Sequence, residues 1–201
     1  MKFTAACVQL NSGREIAPNI SVAADLVRRA REAGADLIMT PEVSDMIEPK
    51  RALRLEKARD EAAHPMLAAF RELARETGAH LLLGSVVLRD GGSERLHNRS
   101  FLIAPDGAVK ARYDKIHMFD VELPGGETYR ESAVFQPGDT AVRAALPWGV
   151  LGMTVCYDLR FAYLYRALAQ AGADSKEGGQ NYGRRWRMER SFLSPTLQSH
   201  A

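Results

Sequence analysis

Residues 31–42 read Arg31-Glu32-Ala33-Gly34-Ala35-Asp36-Leu37-Ile38-Met39-Thr40-Pro41-Glu42. Gly34 ends a helix, Asp36 to Thr40 is a buried-strand run, and Pro41 stops it. Working back, the helix starts at Ile20 with Asn19 as its cap. It keeps Val22, Leu26, Val27, Ala30 and Ala33 at helical spacing. Before it, Phe3 to Leu10 is a short apolar strand in which Cys7, between Ala6 and Val8, is expected to be a small core residue. Working forward, a second helix follows Pro65, carries Met66, Ala69, Phe70, Leu73 and Ala74 on one face, and ends at Gly78. His80 to Leu88 is the next strand, closed by the turn signal Asp90-Gly91-Gly92. Leu96 to Ala104, Ala108 to Tyr113, Thr140 to Leu146 and Val150 to Val155 complete the strands, and a third helix runs from about Tyr163 to Ala171. Amphipathic helices need a sheet to cover, and this many strands need more than one sheet. The pattern predicts a layered α/β sandwich.

The helix exit recurs near the other end. Ala169-Gln170-Ala171-Gly172-Ala173-Asp174 matches residues 31–36 almost letter for letter, but Ser175-Lys176-Glu177-Gly178-Gly179-Gln180 follows in place of an apolar strand. Residues 175–201 hold five basic and two acidic side chains, with Trp186, Met188, Phe192 and Leu193 in no clear period. The expectation is one domain over 1–174 and an irregular tail over 175–201 that leaves the strand position after Asp174 empty.

Composition excludes several function classes. Apolar residues at 46% and charged residues at 26% are ordinary globular proportions. Lys plus Arg exceed Asp plus Glu by 27 to 25, which gives no electrostatic case for nucleic acid or an anionic membrane. The longest uncharged run, Ala144 to Tyr157, is 14 residues and is broken by Pro147, Gly149 and Gly152, whereas a spanning helix needs about 20 apolar residues. Residues 1–16 carry no long apolar h-region, and the two cysteines lack the spacing of a zinc site or a disulfide framework. A cytoplasmic protein is expected.

Cys156 follows the strand Val150 to Val155 and precedes Tyr157-Asp158-Leu159-Arg160, so a reactive thiol is placed where a strand turns toward a helix. It needs a base. His64, His80, His97 and His117 are all available, and nothing in their spacing selects one. Glu42, beyond a buried strand and Pro41, is another, at the strand end where open α/β sheets place ligands. A carboxyl near 4.3 is a poor base for a thiol near 8.5 unless burial and a cation intervene. Lys115, in Tyr113-Asp114-Lys115-Ile116-His117, supplies a cation that would also stabilise an oxyanion.

Met39-Thr40-Pro41-Glu42, Tyr113-Asp114-Lys115-Ile116-His117 and Met153-Thr154-Val155-Cys156-Tyr157-Asp158-Leu159-Arg160-Phe161, in this order, resemble the nitrilase superfamily of carbon–nitrogen hydrolases. The similarity is closest to its Nit-type, ω-amidase-like branch and covers residues 1 to about 174. It implies an α-β-β-α sandwich, here incomplete at the C-terminus. It puts the family's Glu–Lys–Cys triad on Glu42, Lys115 and Cys156, and the glutamate that positions the lysine on Glu131. Phe119 to Glu131 then matches the family's loop between lysine and second glutamate, read locally as a turn around Gly125-Gly126. The implied chemistry is amide hydrolysis through a cysteine thioester, with the backbone N–H of Tyr157 at the oxyanion and no metal or organic cofactor. Arg160 is a candidate clamp for a substrate carboxylate, or an ion-pair partner of Asp158. A small amide and water as reactants, and a homodimer, follow from the same resemblance. Family members continue past the third helix, with further strands, part of the substrate pocket and the dimer contact. Two alternatives stand beside the amidase: a catalytically impaired fragment acting at most as an interaction partner, and an unrelated cysteine acyltransferase with a His base.

Overall fold

The structure, a computed structural model, describes residues 2–90 and 95–176. β1 (Ala5–Cys7), β2 (Leu37–Met39) and β3 (His80–Arg89) run parallel, and β4 (Leu96–Ile103) and β5 (Val109–Asp114) continue antiparallel. Together they form a five-stranded sheet in the order β1-β2-β3-β4-β5. α1 (Ile16–Glu32) and α3 (Pro65–Thr77) cover one face, packing Ala23, Leu26, Val27 and Phe70, Leu73, Ala74 against Ile38, Leu81, Leu83 and Phe101. A short helix, α2 (Arg51–Lys57), and a hairpin of β6 (Asp120–Glu122) and β7 (Thr128–Arg130) lie between these layers in sequence. The other face meets a second sheet, ordered β10-β9-β8, of β8 (Arg143–Leu146), β9 (Gly149–Gly152) and β10 (Ser175–Lys176). Ala144, Leu146, Leu151, Met153 and Val155 pack there on Leu37, Leu82, Leu102 and Tyr113. Leu151 faces inward, so Gly152 faces outward, where an added Cβ would meet Leu168 at 3.1 Å. Leu168 belongs to α4 (Ala162–Gln170), the outermost layer. The order is helix, sheet, sheet, helix. The α-β-β-α sandwich expected from the sequence is the fold.

The structure corrects several boundaries. α1 begins at Ile16, one turn before Asn19, because Pro18 sits in the first turn, where a missing N–H costs nothing. Asn19 instead uses its side chain to tie loops: Nδ2 donates to Gly13 O and Asp45 O at 3.0 and 2.7 Å. β1 is only three residues long, and Cys7 is exposed rather than in the core. The alternation of β1 sends Ala6 toward α1 and Cys7 to the opposite face, where it is exposed. β9 ends at Gly152, so Cys156 follows three further buried residues rather than the strand itself. The stretch read as a Gly-rich turn is a paired hairpin around it, with Asp120 opposite Arg130. The turn signal at Gly91-Gly92 and residues 177–201 lie outside the described residues.

The strand position after Asp174 is occupied. Ser175 and Lys176 pair in parallel with Leu151 and Gly152. The two matching helix exits fold alike. Gly34 and Gly172 take φ of 89° and 87°, and Ala35 N–H and Ala173 N–H reach back to Ala30 O and Leu168 O at 3.1 and 2.9 Å. Asp36 N–H then donates to Thr4 O at 2.8 Å while its carboxylate accepts from Thr4 N–H at 2.9 Å. Asp174 does the same to Val150, at 2.9 and 3.1 Å. The register is set by the Asp before the strand, so β10 needs no apolar run to begin.

Candidate active site

Glu42 is held by backbone constraint. The stretch Thr40–Pro41 crosses β3 at Gly84, where a Cβ would lie 2.0 Å from Thr40 O, and Gly84 N–H donates to Thr40 Oγ1 at 3.1 Å. Beside Gly84 the β3–β4 register shifts, and Ser85 in that bulge accepts Val43 N–H on Oγ at 2.8 Å and Ser44 N–H on its carbonyl at 2.9 Å. Val43 takes φ of 50°, strained for a β-branched residue. Among the described residues the only other non-glycine with positive φ is Cys156, at 47°.

Lys115 follows β5 directly, and its N–H donates to Asn98 O at 3.0 Å, carrying the β4–β5 ladder one residue further. Its ammonium is buried, 2.9 Å from Glu42 Oε1 and 3.0 and 2.8 Å from the two oxygens of Glu131. Glu131 begins a 3-10 turn after β7, and its Oε2 also accepts Phe119 N–H at 2.6 Å. Burial pulls the Lys115 ammonium toward neutrality, but the two carboxylates win and hold its pKa above the ordinary lysine value. It is a fixed cation.

Cys156 opens a 3-10 turn, Cys156–Arg160, that Asp158 shapes from within. The fully buried carboxylate of Asp158 accepts Val155 N–H at 2.9 Å and Tyr113 OH at 2.6 Å on one oxygen. On the other it accepts His117 N–H at 3.0 Å and His117 Nδ1–H at 2.6 Å. The Cys156 turn is thereby bolted to the segment that carries Lys115. Desolvation, then the charge and hydrogen bond of Glu42, push the Cys156 thiol up to about 11 against the opposing pull of Lys115. The resting group is a thiol in contact with a carboxylate. The chain brings Glu42, Lys115, Glu131 and Cys156 to one point from four loops.

A family model described as carbon-nitrogen hydrolase matches residues 4–186. The chain belongs to the carbon–nitrogen hydrolase family. The match runs past the expected boundary at 174 and takes in β10. Among curated relatives, the deaminated glutathione amidase of Yersinia enterocolitica is 37% identical over 171 residues, 84% of this chain and 59% of that protein. The omega-amidase NIT2 of Homo sapiens is 32% identical over 170 residues, 85% of this chain and 60% of that protein. The C. elegans NitFhit protein superposes with a TM-score of 0.79 at 29% identity, over 87% of this chain and 42% of that one. This carbon–nitrogen hydrolase chain thus spans about 60% of the length of the curated relatives it matches.

In this family member none of the four described histidines replaces Glu42 beside Cys156. His64 is buried, caps α3 through Nδ1 and faces Asp45 at 3.3 Å. His80 lies edge-on to Trp148, and His97 sits between Asp90 and Asp114. His117 is bound by Asp158 and stacks on Phe161 at 3.6 Å. Asp158 is therefore not the partner of Arg160, whose exposed guanidinium makes no hydrogen bond or ion pair among the described residues. Tyr157 packs edge-on between Phe119 and Phe161, at 5.0 and 5.4 Å, giving Cys156 an aromatic flank. Three residues that build the site were not found from sequence: Gly84, Asp158 and Asn98. Gly84 carried a signal, a lone glycine within an apolar strand run. Asn98 carried none, because its role depends on register with Lys115.

Proposed function

We propose that this chain carries the catalytic residues of an amidase that hydrolyses the C–N bond of a small carboxylated amide through a cysteine thioester. The observation that supports it most is the meeting of a thiol with the two carboxylates, Glu42 and Glu131, that hold the buried Lys115 ammonium. Glu42 takes the Cys156 proton as sulfur attacks the amide carbonyl, and Lys115 with Tyr157 N–H holds the oxyanion. Glu42 returns that proton to the nitrogen, the C–N bond breaks, and ammonia leaves. Water, deprotonated by the same Glu42, then cleaves the thioester to acid and thiol. Glu131 keeps Lys115 in place throughout. Arg160, unpaired among the described residues, offers a bidentate partner for a substrate carboxylate.

One observation favours the alternative of an impaired fragment: the inner face of β1 is exposed at Ala5 and Cys7. The two readings separate in one experiment, release of ammonia from a dicarboxylic acid monoamide by the purified chain. The amidase reading expects turnover that Cys156→Ser abolishes and Glu42→Gln lowers at least about a thousandfold. Arg160→Ala should raise KM for the carboxylated amide about tenfold and leave an uncharged amide unaffected. No turnover by the folded chain would favour the impaired fragment.

A further inference from the structure

Asn98, in β4, is 1% exposed and points at both carboxylates of the cluster. Its Nδ2 donates to Glu42 Oε1 at 2.8 Å and lies 3.4 Å from Glu131 Oε1. Its Oδ1 is buried with no hydrogen-bond partner among the described residues. Turning the amide round would set a carbonyl oxygen against the Glu42 carboxylate, so the assignment of nitrogen and oxygen is forced. An amide kept only to satisfy a core would pair its carbonyl as well. Here the donor end alone is used.

The same two carboxylate oxygens also bind Lys115 Nζ, at 2.9 and 3.0 Å. A carboxylate oxygen offers about two acceptor sites. On Glu42 Oε1 one is taken by the ammonium and one by the amide. We propose that Asn98 is a positioning residue: it occupies the remaining site on Oε1, so that only Oε2 of Glu42 takes the Cys156 proton and later delivers it to the leaving nitrogen. This rests on Glu42 being the base. An amide suits the task because it restrains the carboxylate without a second positive charge, which would weaken that base. The charged and titratable groups around Glu42 are Lys115 beyond β5, Glu131 after β7 and Cys156 after β9. Arg54 of α2 acts on Glu131 from outside.

The test reads thiol chemistry and does not need turnover. In the full chain carrying Cys7→Ser, the rate of iodoacetamide alkylation of Cys156 is followed from pH 4 to 9, with Glu42→Gln as reference. The parent should show an acid limb that Glu42→Gln removes. Asn98→Leu keeps the size but lacks the donor, and a carboxylate that loses a donor holds its proton more tightly. The limb should move up by about one pH unit, a tenfold lower rate at its foot. Asn98→Asp adds a third carboxylate and should move it further. If Asn98→Leu does not fold by near-ultraviolet circular dichroism, the isosteric Asp variant carries the comparison. A Glu42-dependent limb that the Asn98 variants leave in place overturns the role of Asn98 alone. A parent without any Glu42-dependent limb overturns the base assignment, and Asn98 with it.

Discussion

Cys156 holds a left-handed backbone that costs about 1–3 kcal/mol, as does Val43 beside Glu42. Strain sits on Cys156 itself and next to Glu42, and is absorbed by Asp158 in one case and Ser85 in the other. The thiol, raised from its ordinary 9.0 to about 11, gives this arrangement a signature. Between those values the unfolded chain has released a proton that the folded chain retains, so stability falls as pH rises through that window. Lys115, held above 10.5, acts in the same direction: its contribution is complete below that value and lost above its folded pKa. The melting temperature of the chain is expected to drop by several degrees from pH 9 to 11, and that of Cys156→Ser to drop less. Parallel curves for the two proteins would show that the folded chain does not raise the thiol. Of the side chains that meet around Lys115, the sequence pointed to those that sit in motifs, Glu42, Lys115, Glu131 and Cys156. It did not reveal Asn98 or Asp158, whose meaning lies in what faces them across a ladder or a turn. Cys7 was misread because an apolar neighbourhood in sequence does not say whether a sheet face is covered.

The β1-α1-β2 and β9-α4-β10 units show the same economy at the scale of elements. In each, a helix ends on an Ala-Gly-Ala-Asp exit, and the Asp pins its strand to the preceding one through both carboxylate and backbone. Replacing Asp36 or Asp174 by Ala removes one hydrogen bond to a strand N–H, worth about 0.5–1.5 kcal/mol. Urea unfolding should show both losses, equal within that range, and the Asp174 variant should also loosen hydrogen exchange at Lys176, next to Gly152 in the β9–β10 pairing. An unchanged midpoint for Asp174→Ala would mean that β10 is held by something other than this staple. Helices and long strands were legible because their apolar periods are long, as in α3 and β3. α2, with none of its residues buried, and the three-residue strands of the β6–β7 hairpin left no period to read. β10 was hidden for the opposite reason: its placement is written in Asp174, not in Ser175 and Lys176.

Across the whole molecule the two sheets are unequal, five described strands against three. Among the described residues β1 and β10 stand at the ends of their sheets, and the inner face of β1 shows Ala5 and Cys7 to solvent. The α4 side adds Tyr163 at 81% and Leu159 at 54% exposure, an apolar surface around the helix that closes the sandwich. Uncovered apolar faces favour association of copies over a stable monomer. Each large apolar side chain left uncovered forgoes about 1.5–3 kcal/mol, and a domain of this size has only about 5–15 kcal/mol in hand. Tyr163 and Leu159 together forgo about 3–6 kcal/mol, a large part of that margin. The 201-residue chain alone is therefore expected to melt below about 45 °C, the lower edge for mesophilic domains. It should bind an apolar dye before unfolding and scatter light increasingly with concentration. Cys7 should react with a thiol reagent at the rate of an open surface group, and its substitution by a large polar residue should reduce the scattering by interrupting the exposed face. A sharp, concentration-independent transition above 60 °C with no dye binding would refute this account, and would mean that the inner face of β1 is covered in solution.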